Sequence, residues 1–227
     1  METVLITGAS RGIGLELTKQ FFELGYKVIA TYRGKKTDEL SNLTLHNNVL
    51  AYELEVTNEA SISILSHKLK NITIDILINN AGIISPNNQQ LEAIEVEGWL
   101  NAFAVNTIAP LLVSRALLEN LKLSKKPRII TISSQMGSLK SEGTGLYAYR
   151  SSKTAVNKVM QLMSLELKEF GVAVYPVHPG WVKTDMGGAE ADISVQESAS
   201  GIVALANNLS IEQTGQFFNW EGNLVEW

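Results

Sequence analysis

The amino-acid sequence predicts an α/β fold, with a doubly wound parallel sheet of about seven strands and helices on both faces. Short, continuous apolar runs alternate with longer segments of helical periodicity along the chain, which is typical of strands buried between helices. Right-handed crossovers then place helices on both sides of the sheet. No internal repeat, low-complexity tract or linker breaks the alternation, so residues 1–227 are predicted to form a single domain.

Local signals support the individual elements. The first strand is the apolar run at 4–6, and Gly25 and Gly171 are suitable ends for the helices that precede them. Asn58 is a suitable N-cap for the third helix. The predicted strands, in order, cover residues 4–6, 28–31, 49–54, 74–78, 128–132, 172–177 and 216–219. The predicted helices cover 12–24, 37–45, 59–69, 96–106, 110–121, a stretch that carries Tyr149 and ends at about 170, and 198–209.

Composition excludes several classes of function. The chain has 45% hydrophobic and 19% charged residues, and its net charge of -4 gives no general attraction to nucleic acid or to anionic membranes. It has no cysteine, which excludes disulfides, thiolate metal sites and thiol nucleophiles, and its three histidines lie far apart, so no metal site is expected. No apolar run approaches the ~18 residues of a membrane-spanning helix, and a strand follows Met1-Glu2 directly. We therefore expect a cytoplasmic protein.

A basic cluster, from Lys122 to Arg128, separates a predicted helix from a predicted strand. We interpret it as a solvated turn.

A glycine-rich turn follows the first strand. Residues 7–14 read TGASRGIG, and a helix begins within this turn. Glycine permits positive φ and lets the backbone approach a ligand closely, while the helix N-terminus offers unpaired N–H groups to a pyrophosphate. The spacing is Gly-x3-Gly-x-Gly and not the commoner Gly-x-Gly-x-x-Gly. Between a strand and a helix near the chain start, it predicts a Rossmann-type dinucleotide-binding site.

The end of the second strand indicates which dinucleotide binds. Enzymes that use NAD usually place an acid there for the ribose hydroxyls, but this sequence reads Thr31-Tyr32-Arg33-Gly34, with no acid before Asp38. A guanidinium makes fork-like contacts with phosphate oxygens, so Arg33 suits the 2′-phosphate of NADP(H). Arg11, inside the glycine-rich turn, is a second candidate for that phosphate.

Tyr149 and Lys153 are the candidate chemical groups. They stand four residues apart and therefore on one face of a helix, whereas the corresponding partner of Tyr147 is Ser151. The side chains ordinarily titrate near ~10 and ~10.4, so neither is by itself a good acid or base at neutral pH. An adjacent ammonium favours the phenolate, so we expect Lys153 to lower the pKa of Tyr149 and make it a usable proton donor.

With the motifs at 79–82, 133–137 and 179–184, the chain resembles the short-chain dehydrogenase/reductase family over essentially its full length. The matching positions, in order and spacing, are Thr7-Gly8-x-x-x-Gly12-x-Gly14, Asn79-Asn80-Ala81-Gly82, Asn106, Ser134, Tyr149-x-x-x-Lys153 and Pro179-Gly180. The stretches at 136–138, 147–153, 178–188 and 215–227 are similar to the C-factor and sniffer-type carbonyl reductases.

The resemblance implies a role for each catalytic position. Tyr149 would protonate the developing alkoxide, Lys153 would hold the nicotinamide ribose and depress the tyrosine pKa, and Ser134 would hydrogen-bond the substrate carbonyl. Asn106 would hold a water that links Lys153 to solvent. Ser133 remains an alternative for the carbonyl contact, although Ser134 has the family's usual spacing to Gly137.

The resemblance also implies a set of cofactor-binding residues. Those positions are Gly8, Ser10, Arg11, Gly12, Ile13, Gly14, Arg33, Glu55, Val56, Asn80, Ala81, Gly82, Tyr149, Lys153, Pro179, Gly180, Val182 and Thr184. Glu55 departs from the family, which usually has an aspartate beside the adenine. The segment 185–194 is another departure, because it is too short for the helical lid of many relatives, so we expect an open active site.

The resemblance implies that the protein reduces a small-molecule carbonyl, which is an aldehyde, ketone or quinone, with NADP(H) as cofactor. It also implies that the protein is a homo-oligomer. An alternative is a nucleotide-binding signalling or sensor protein with little or no turnover, of the C-factor type. A third is an alcohol dehydrogenase or epimerase, which Arg33 disfavours because NADPH pools generally drive reduction. We interpret His178 as a packing and hydrogen-bonding residue, and leave open whether Trp181 contacts substrate or only covers the sheet end.

Overall fold

The computed structural model describes the whole chain, Met1–Trp227. Seven strands form one parallel sheet in the order β3-β2-β1-β4-β5-β6-β7. This confirms the predicted doubly wound sheet. The strands are β1 (Thr3–Ile6), β2 (Lys27–Tyr32), β3 (Val49–Glu53), β4 (Ile76–Asn79), β5 (Arg128–Ile132), β6 (Ala173–His178) and β7 (Phe218–Asn219).

Helices cover both faces of this sheet, and each face has its own apolar core. Val4 and Ile6 of β1 pack into one core and Leu5 into the other, as expected for a strand whose side chains alternate between faces. The helices are α1 (Gly12–Glu23), α2 (Asp38–Leu43), α3 (Glu59–Lys68), α4 (Val96–Phe103), α5 (Ala109–Ala116), α6 (Leu118–Lys122), α7 (Tyr147–Leu167) and α8 (Val195–Asn208).

The chain order reverses between β1 and β4, which lie side by side at the centre of the sheet. From β1 the chain moves outward through β2 and β3, then returns to β4 and continues to the other edge. In open α/β sheets ligands bind at such a switch point, beyond the carboxyl ends of the strands. The glycine-rich turn after β1 and the segment after β4 meet there.

The predicted break in helical structure between residues 106 and 110 is wrong. A π-helical turn, Ala104–Ile108, joins α4 to α5, so the helical path continues through Asn106. By length and composition alone, the run Val96–Ala116 is apolar enough to cross a membrane, a test that core helices of soluble proteins also pass. The prediction that no apolar run approaches this length is therefore wrong.

Two further predictions are corrected. The last helix begins at Val195 and not at Ser198, because Ser194 and Glu197 form a capping box that starts the helix earlier. Arg128 is 5% exposed and does not belong to a solvated turn. Its guanidinium reaches Glu2 at 2.6 Å and donates to the carbonyl oxygen of Ala206 at 2.8 Å.

Candidate active site

The glycine-rich turn after β1 is fastened to the segment after β4. The Thr7 hydroxyl oxygen accepts hydrogen bonds from the backbone N–H groups of Asn80 and Ala81, at 3.0 and 3.1 Å. Gly8 has φ +66°, and a Cβ there would lie 3.0 Å from the Ala81 Cα. A Cβ at Gly14 would collide with the carbonyl oxygen of Gly8. These glycines therefore allow a close crossing of two backbones that no larger residue would permit.

The N-terminus of α1 meets the requirements of a phosphate site. Its N-cap residue, Arg11, makes no side-chain capping hydrogen bond, and the first turn contains no acidic residue. The first N–H groups of a helix have no acceptor within the helix, and together with the dipole they favour an anion. Gly12, Ile13 and Gly14 of this turn line a cleft of about 720 Å³.

Most of the predicted cofactor residues line this same cleft. They are Gly8, Ser10, Arg11, Gly12, Ile13, Gly14, Arg33, Glu55, Val56, Asn80, Ala81, Gly82, Tyr149, Lys153 and Thr184. Pro179, Gly180 and Val182 do not line it. Pro179 accepts a hydrogen bond from Ser198, a Cβ at Gly180 would collide with the side chain of Ile193, and Val182 bridges to Ile193.

The first two turns of α7 bring Tyr149 and Lys153 to the cleft. The Lys153 Nζ lies 5.7 Å from the centroid of the Tyr149 ring and donates a hydrogen bond to the backbone oxygen of Ile132 at 2.8 Å. Lys153 is 4% exposed. Burial lowers the pKa of Lys153 to about 8.

The expected lowering of the Tyr149 pKa is not found. Burial raises the pKa of Tyr149 above its usual value, and hydrogen bonding by Ser134 offsets only part of this effect. The charge of Lys153 was expected to favour the phenolate, but the loss of water around the phenol has the larger effect on the Tyr149 pKa. Tyr149 is consequently protonated at neutral pH.

Ser134, and not Ser133, accompanies the phenol. Ser133 lines the cleft, but its hydroxyl donates to the side chain of Asn157 at 2.5 Å and is thereby occupied. Ser134 lies beside Tyr149, and its hydroxyl oxygen accepts the backbone N–H of Met136 at 3.1 Å. The O–H of Ser134 therefore remains able to donate toward the reacting centre.

Asn106 lies in the π-helical turn and does not itself line the cleft. Its side chain forms a pair of 2.9 Å hydrogen bonds with the backbone of Ile83 and donates to the Ser152 hydroxyl at 3.0 Å. A Cβ at Gly82 would lie 3.4 Å from the Asn106 Oδ1 and 3.6 Å from the Lys153 Nζ. Asn106 is therefore close to the lysine, but the water between them stays a prediction.

Comparisons with known proteins agree with this geometry. The family model for short chain dehydrogenases matches residues 2–193. The chain belongs to the short-chain dehydrogenase/reductase family.

Three relatives of this family member cover most or all of its length. C-signal of Myxococcus xanthus is 37% identical over 155 residues, which are 68% of this chain and 93% of C-signal. An NADPH-bound carbonyl reductase from chicken fatty liver superimposes with a TM-score of 0.92 and 36% identity, covering 100% of this chain and 99% of its own. The carbonyl reductase Sniffer of D. melanogaster has a TM-score of 0.94 and 32% identity, with both chains fully covered.

Two ion pairs between residues that line the cleft were not anticipated. Arg33 lies 3.5 Å from Glu55, whose other oxygen accepts from the backbone N–H and hydroxyl of Thr57. Arg11 lies 3.0 Å from Asp185, on the segment between β6 and α8. Each pair joins residues from distant parts of the chain, so sequence spacing carried no signal for it.

The segment between β6 and α8 contains no helix, which confirms the prediction that no helical lid is built there. Four of its residues, Lys183, Thr184, Asp185 and Met186, line the cleft. Lys183 was not predicted as a site residue. Its position between two predicted site residues, Val182 and Thr184, is the only feature of the sequence that could have indicated it. The Trp181 indole N–H donates to Gly187 at 2.8 Å, and the ring is 48% exposed.

His178 ends β6 and is buried, with no hydrogen-bond partner for its Nδ1. Burial lowers its pKa to about 4, so it is neutral at physiological pH. The prediction that it packs is confirmed. The predicted hydrogen bonding is absent at its Nδ1.

Proposed function

We propose that this oxidoreductase is an NADPH-dependent carbonyl reductase that converts an aldehyde, ketone or quinone to the alcohol. The observation that carries the proposal is that Tyr149 and Lys153 line the cleft together and that the Ser134 hydroxyl lies beside the Tyr149 phenol. A protonated phenol, a second hydroxyl donor and a buried ammonium are the groups that a carbonyl oxygen needs as it gains negative charge. The likeness to an NADPH-bound carbonyl reductase supports this choice.

The residues of the cleft fit NADP(H). The glycine-rich turn and the open N-terminus of α1 suit the pyrophosphate, and Arg33 suits the 2′-phosphate. Glu55 already holds Arg33 at the cleft and would have to share it with the phosphate. Lys153 is expected to hold the nicotinamide ribose. When bound, the reduced nicotinamide supplies the hydride.

The protein's own contribution is the handling of the proton. The Tyr149 hydroxyl, protonated at neutral pH, donates its proton to the substrate oxygen while Ser134 donates a hydrogen bond to the same atom. Lys153, whose pKa is about 8, is charged at neutral pH and stabilises the resulting phenolate. A lysine whose pKa is this close to neutral pH is also well matched to returning a proton to the phenolate. The Asn106 side chain lies close to this lysine.

Turnover with both cofactors tests the proposal. A panel of aldehydes, ketones and quinones is followed by the loss of NADPH absorbance, and kcat/KM is then measured with NADPH and NADH on the best substrate. We expect a preference for NADPH, and Arg33→Asp should narrow or reverse it, because the change removes the guanidinium and repels the 2′-phosphate. Equal values for the two cofactors in the wild-type protein would refute the preference.

The likeness to C-signal favours a second candidate, a nucleotide-binding signalling protein with little turnover. Such a protein needs the nucleotide cleft but has no need of a proton donor. The two candidates differ in one result. NADPH binding without measurable reduction across the panel would favour the signalling protein.

We also propose that the chain acts as a homo-oligomer. Leu162 and Leu165 of α7 are exposed, as are Leu100 and Ile108 on the helical run beside it. Exposed apolar side chains on packed helices favour contact with another copy. Light scattering after size exclusion tests this, and a mass equal to that of a single chain at all concentrations would contradict it.

A further inference from the structure

Gln89 is a buried polar residue outside the predicted site. It lies on the segment between β4 and α4 and is 4% exposed, whereas its neighbours Asn88 and Gln90 are exposed. Its side-chain Oε1 accepts the backbone N–H of Tyr149 at 3.0 Å, and its Nε2 donates to the backbone oxygen of Pro86 at 3.0 Å. The amide is therefore held at both ends, and one end is fixed on the proposed proton donor.

The start of α7 explains why this contact matters. Leu146, the residue before the helix, has φ +52° and provides no side-chain cap. The first hydrogen bond within the helix runs from the N–H of Arg150 to the oxygen of Leu146, at 2.8 Å. The N–H of Tyr149 comes one residue earlier and has no acceptor in the helix. Gln89 supplies the oxygen that an asparagine at the N-cap would ordinarily provide.

The following part of α7 is fixed independently. The Trp99 indole donates to the Ser151 hydroxyl at 3.0 Å, and Thr107 donates to the backbone oxygen of Ser152 at 2.8 Å. Asn106 also donates to Ser152. These contacts hold the helix from Ser151 onward, whereas the turn that carries Tyr149 lies in front of them. Within α7 the Ser152 hydroxyl donates to the backbone oxygen of Tyr149 at 2.8 Å. The contact from outside the helix at the Tyr149 backbone is the one between its N–H and Gln89.

We infer that Gln89 is a positioning residue for Tyr149, which closes the first turn of α7 from a distant segment and so keeps the phenol beside Ser134. The same segment begins with Asn80 and Gly82, which line the cofactor cleft, so Gln89 joins the cofactor wall to the catalytic helix. The inference rests on the proposed function to the extent that Tyr149 is taken as the proton donor.

Three variants test the role of the Gln89 oxygen. Gln89→Met keeps the length of the side chain but removes the acceptor. Gln89→Glu keeps an acceptor oxygen and puts its charge at a helix N-terminus, where a carboxylate is tolerated. Gln90→Met makes the same chemical change at the exposed neighbour and is the matched control. For each, kcat on the best carbonyl substrate and the NADPH dissociation constant are measured well below the melting temperature.

We expect Gln89→Met to lower kcat on the order of tenfold or more, because small displacements of a reacting group have large effects on rate. The NADPH dissociation constant should stay within about twofold of wild type, because the residues assigned to phosphate binding do not contact Gln89. Gln89→Glu should recover most of kcat, and Gln90→Met should match wild type. A Gln89→Met protein with normal kcat and only a lower melting temperature would overturn the inference, as would equal losses in the Met and Glu variants.

Amide hydrogen exchange provides a readout that does not require activity or a folded variant. In wild-type protein labelled with ¹⁵N-tyrosine, the Tyr149 amide should exchange at least about tenfold more slowly than that of Tyr147, whose N–H lies in the same unpaired turn. Equal exchange would refute the cap even in an active enzyme. Slow exchange at Tyr149 in a protein that reduces no carbonyl would support the cap and refute the proposed function instead.

Discussion

Two buried cations at opposite ends of β5 illustrate different uses of charge. Arg128, at the amino end, is paired with Glu2 at 2.6 Å and also donates to a backbone oxygen. Lys153, beside the carboxyl end, donates to the backbone oxygen of Ile132 and has no carboxylate within ion-pair distance. Both side chains are almost fully buried.

The difference separates structure from chemistry. A buried charge with its own counter-ion is compensated within the fold, and removing one partner leaves the other unsatisfied. A buried charge without a counter-ion destabilises the protein by itself and has a shifted pKa, which is typical of functional sites. Lys153 shows this second behaviour, with a pKa of about 8. The amino end of the sheet should therefore govern stability, and the carboxyl end activity.

Tyr149→Phe should give the largest effect. The substitution deletes one hydroxyl and keeps the ring, so helix packing should survive. Because the proton donor is lost, kcat should fall by about 10²–10⁴-fold. Steady-state turnover and NADPH binding by fluorescence check this, and the dissociation constant should barely change. Tyr147→Phe, two residues earlier on the same helix, is the control. Wild-type turnover in Tyr149→Phe would show that Tyr149 is not the acid.

Arg128→Met should have the opposite consequence, a loss of stability with no effect on the cleft. It leaves the Glu2 carboxylate and the Ala206 oxygen without their donor, at a cost of about 2–4 kcal/mol in the free energy of unfolding, reduced from the fully buried case because Glu2 is partly exposed. Urea unfolding measures the loss, and the NADPH dissociation constant should not move. Arg115→Met, on an exposed face of α5, should change stability by less than about 0.5 kcal/mol. An equal loss at Arg115 would remove the special role of Arg128.

The sequence was sufficient to predict the sheet and the residues around the cleft, because both depend on local patterns. Apolar runs of strand length identify β1 to β6, and glycines next to a strand end identify the phosphate turn. Arg128 was misjudged because its environment is made by Glu2 and by α8, which are distant in sequence. No local pattern reports such a pairing.

Prediction of the candidate site from the sequence was limited in the same way, by contacts between distant residues. The spacing of Tyr149 and Lys153 predicted their shared helix face, but not the direction of the Tyr149 pKa, which depends on how much water the fold removes. Gln89 has no sequence signal, because its partner is a backbone N–H sixty residues away. The π-helical turn at Asn106 was missed because its residues are all compatible with an ordinary α-helix.

Lys153→Met should sharpen the comparison, because it is expected to change stability in the opposite direction from Arg128→Met. The pKa of Lys153 is about 8 in the folded protein, against ~10.4 when unfolded, so the unfolded chain binds more protons between these values. The burial of the charge therefore costs stability below about pH 8, and this cost disappears as the pH rises toward ~10.4. At neutral pH the variant should be about 1–3 kcal/mol more stable and inactive.

Urea unfolding of wild type and Lys153→Met across this pH range provides the test. The gap between the two proteins should narrow as the pH rises from 8 toward 10, because the wild-type lysine is then neutral in the fold. Above pH 10 the raised pKa of Tyr149 acts on both proteins alike, since folded Tyr149 keeps its proton longer. A variant less stable than wild type at neutral pH would indicate that Lys153 is a structural cation like Arg128.

The smallest effect concerns charges at the cleft rim, where the Arg11–Asp185 pair joins the glycine-rich turn to the segment after β6. Both side chains are largely exposed, at 76% and 80%, so the pair should contribute about 0–1 kcal/mol to stability. If the charged residues at the carboxyl end of the sheet act in ligand binding, Asp185 competes with the cofactor phosphates for Arg11. Asp185→Asn should then leave unfolding unchanged and tighten NADPH binding about two- to fivefold at low salt.

The Lys122–Glu119 pair offers a matched control, because its atoms are also 3.0 Å apart and it lies outside the cleft. Glu119→Gln should alter neither stability nor NADPH affinity. Salt screens exposed charges over about 10 Å at 0.1 M and about 3 Å at 1 M, so the gain in Asp185→Asn should vanish at high salt. Weaker NADPH binding in Asp185→Asn would mean that Asp185 orients Arg11 for the phosphates, and that a counter-ion can serve ligand binding as well as stability.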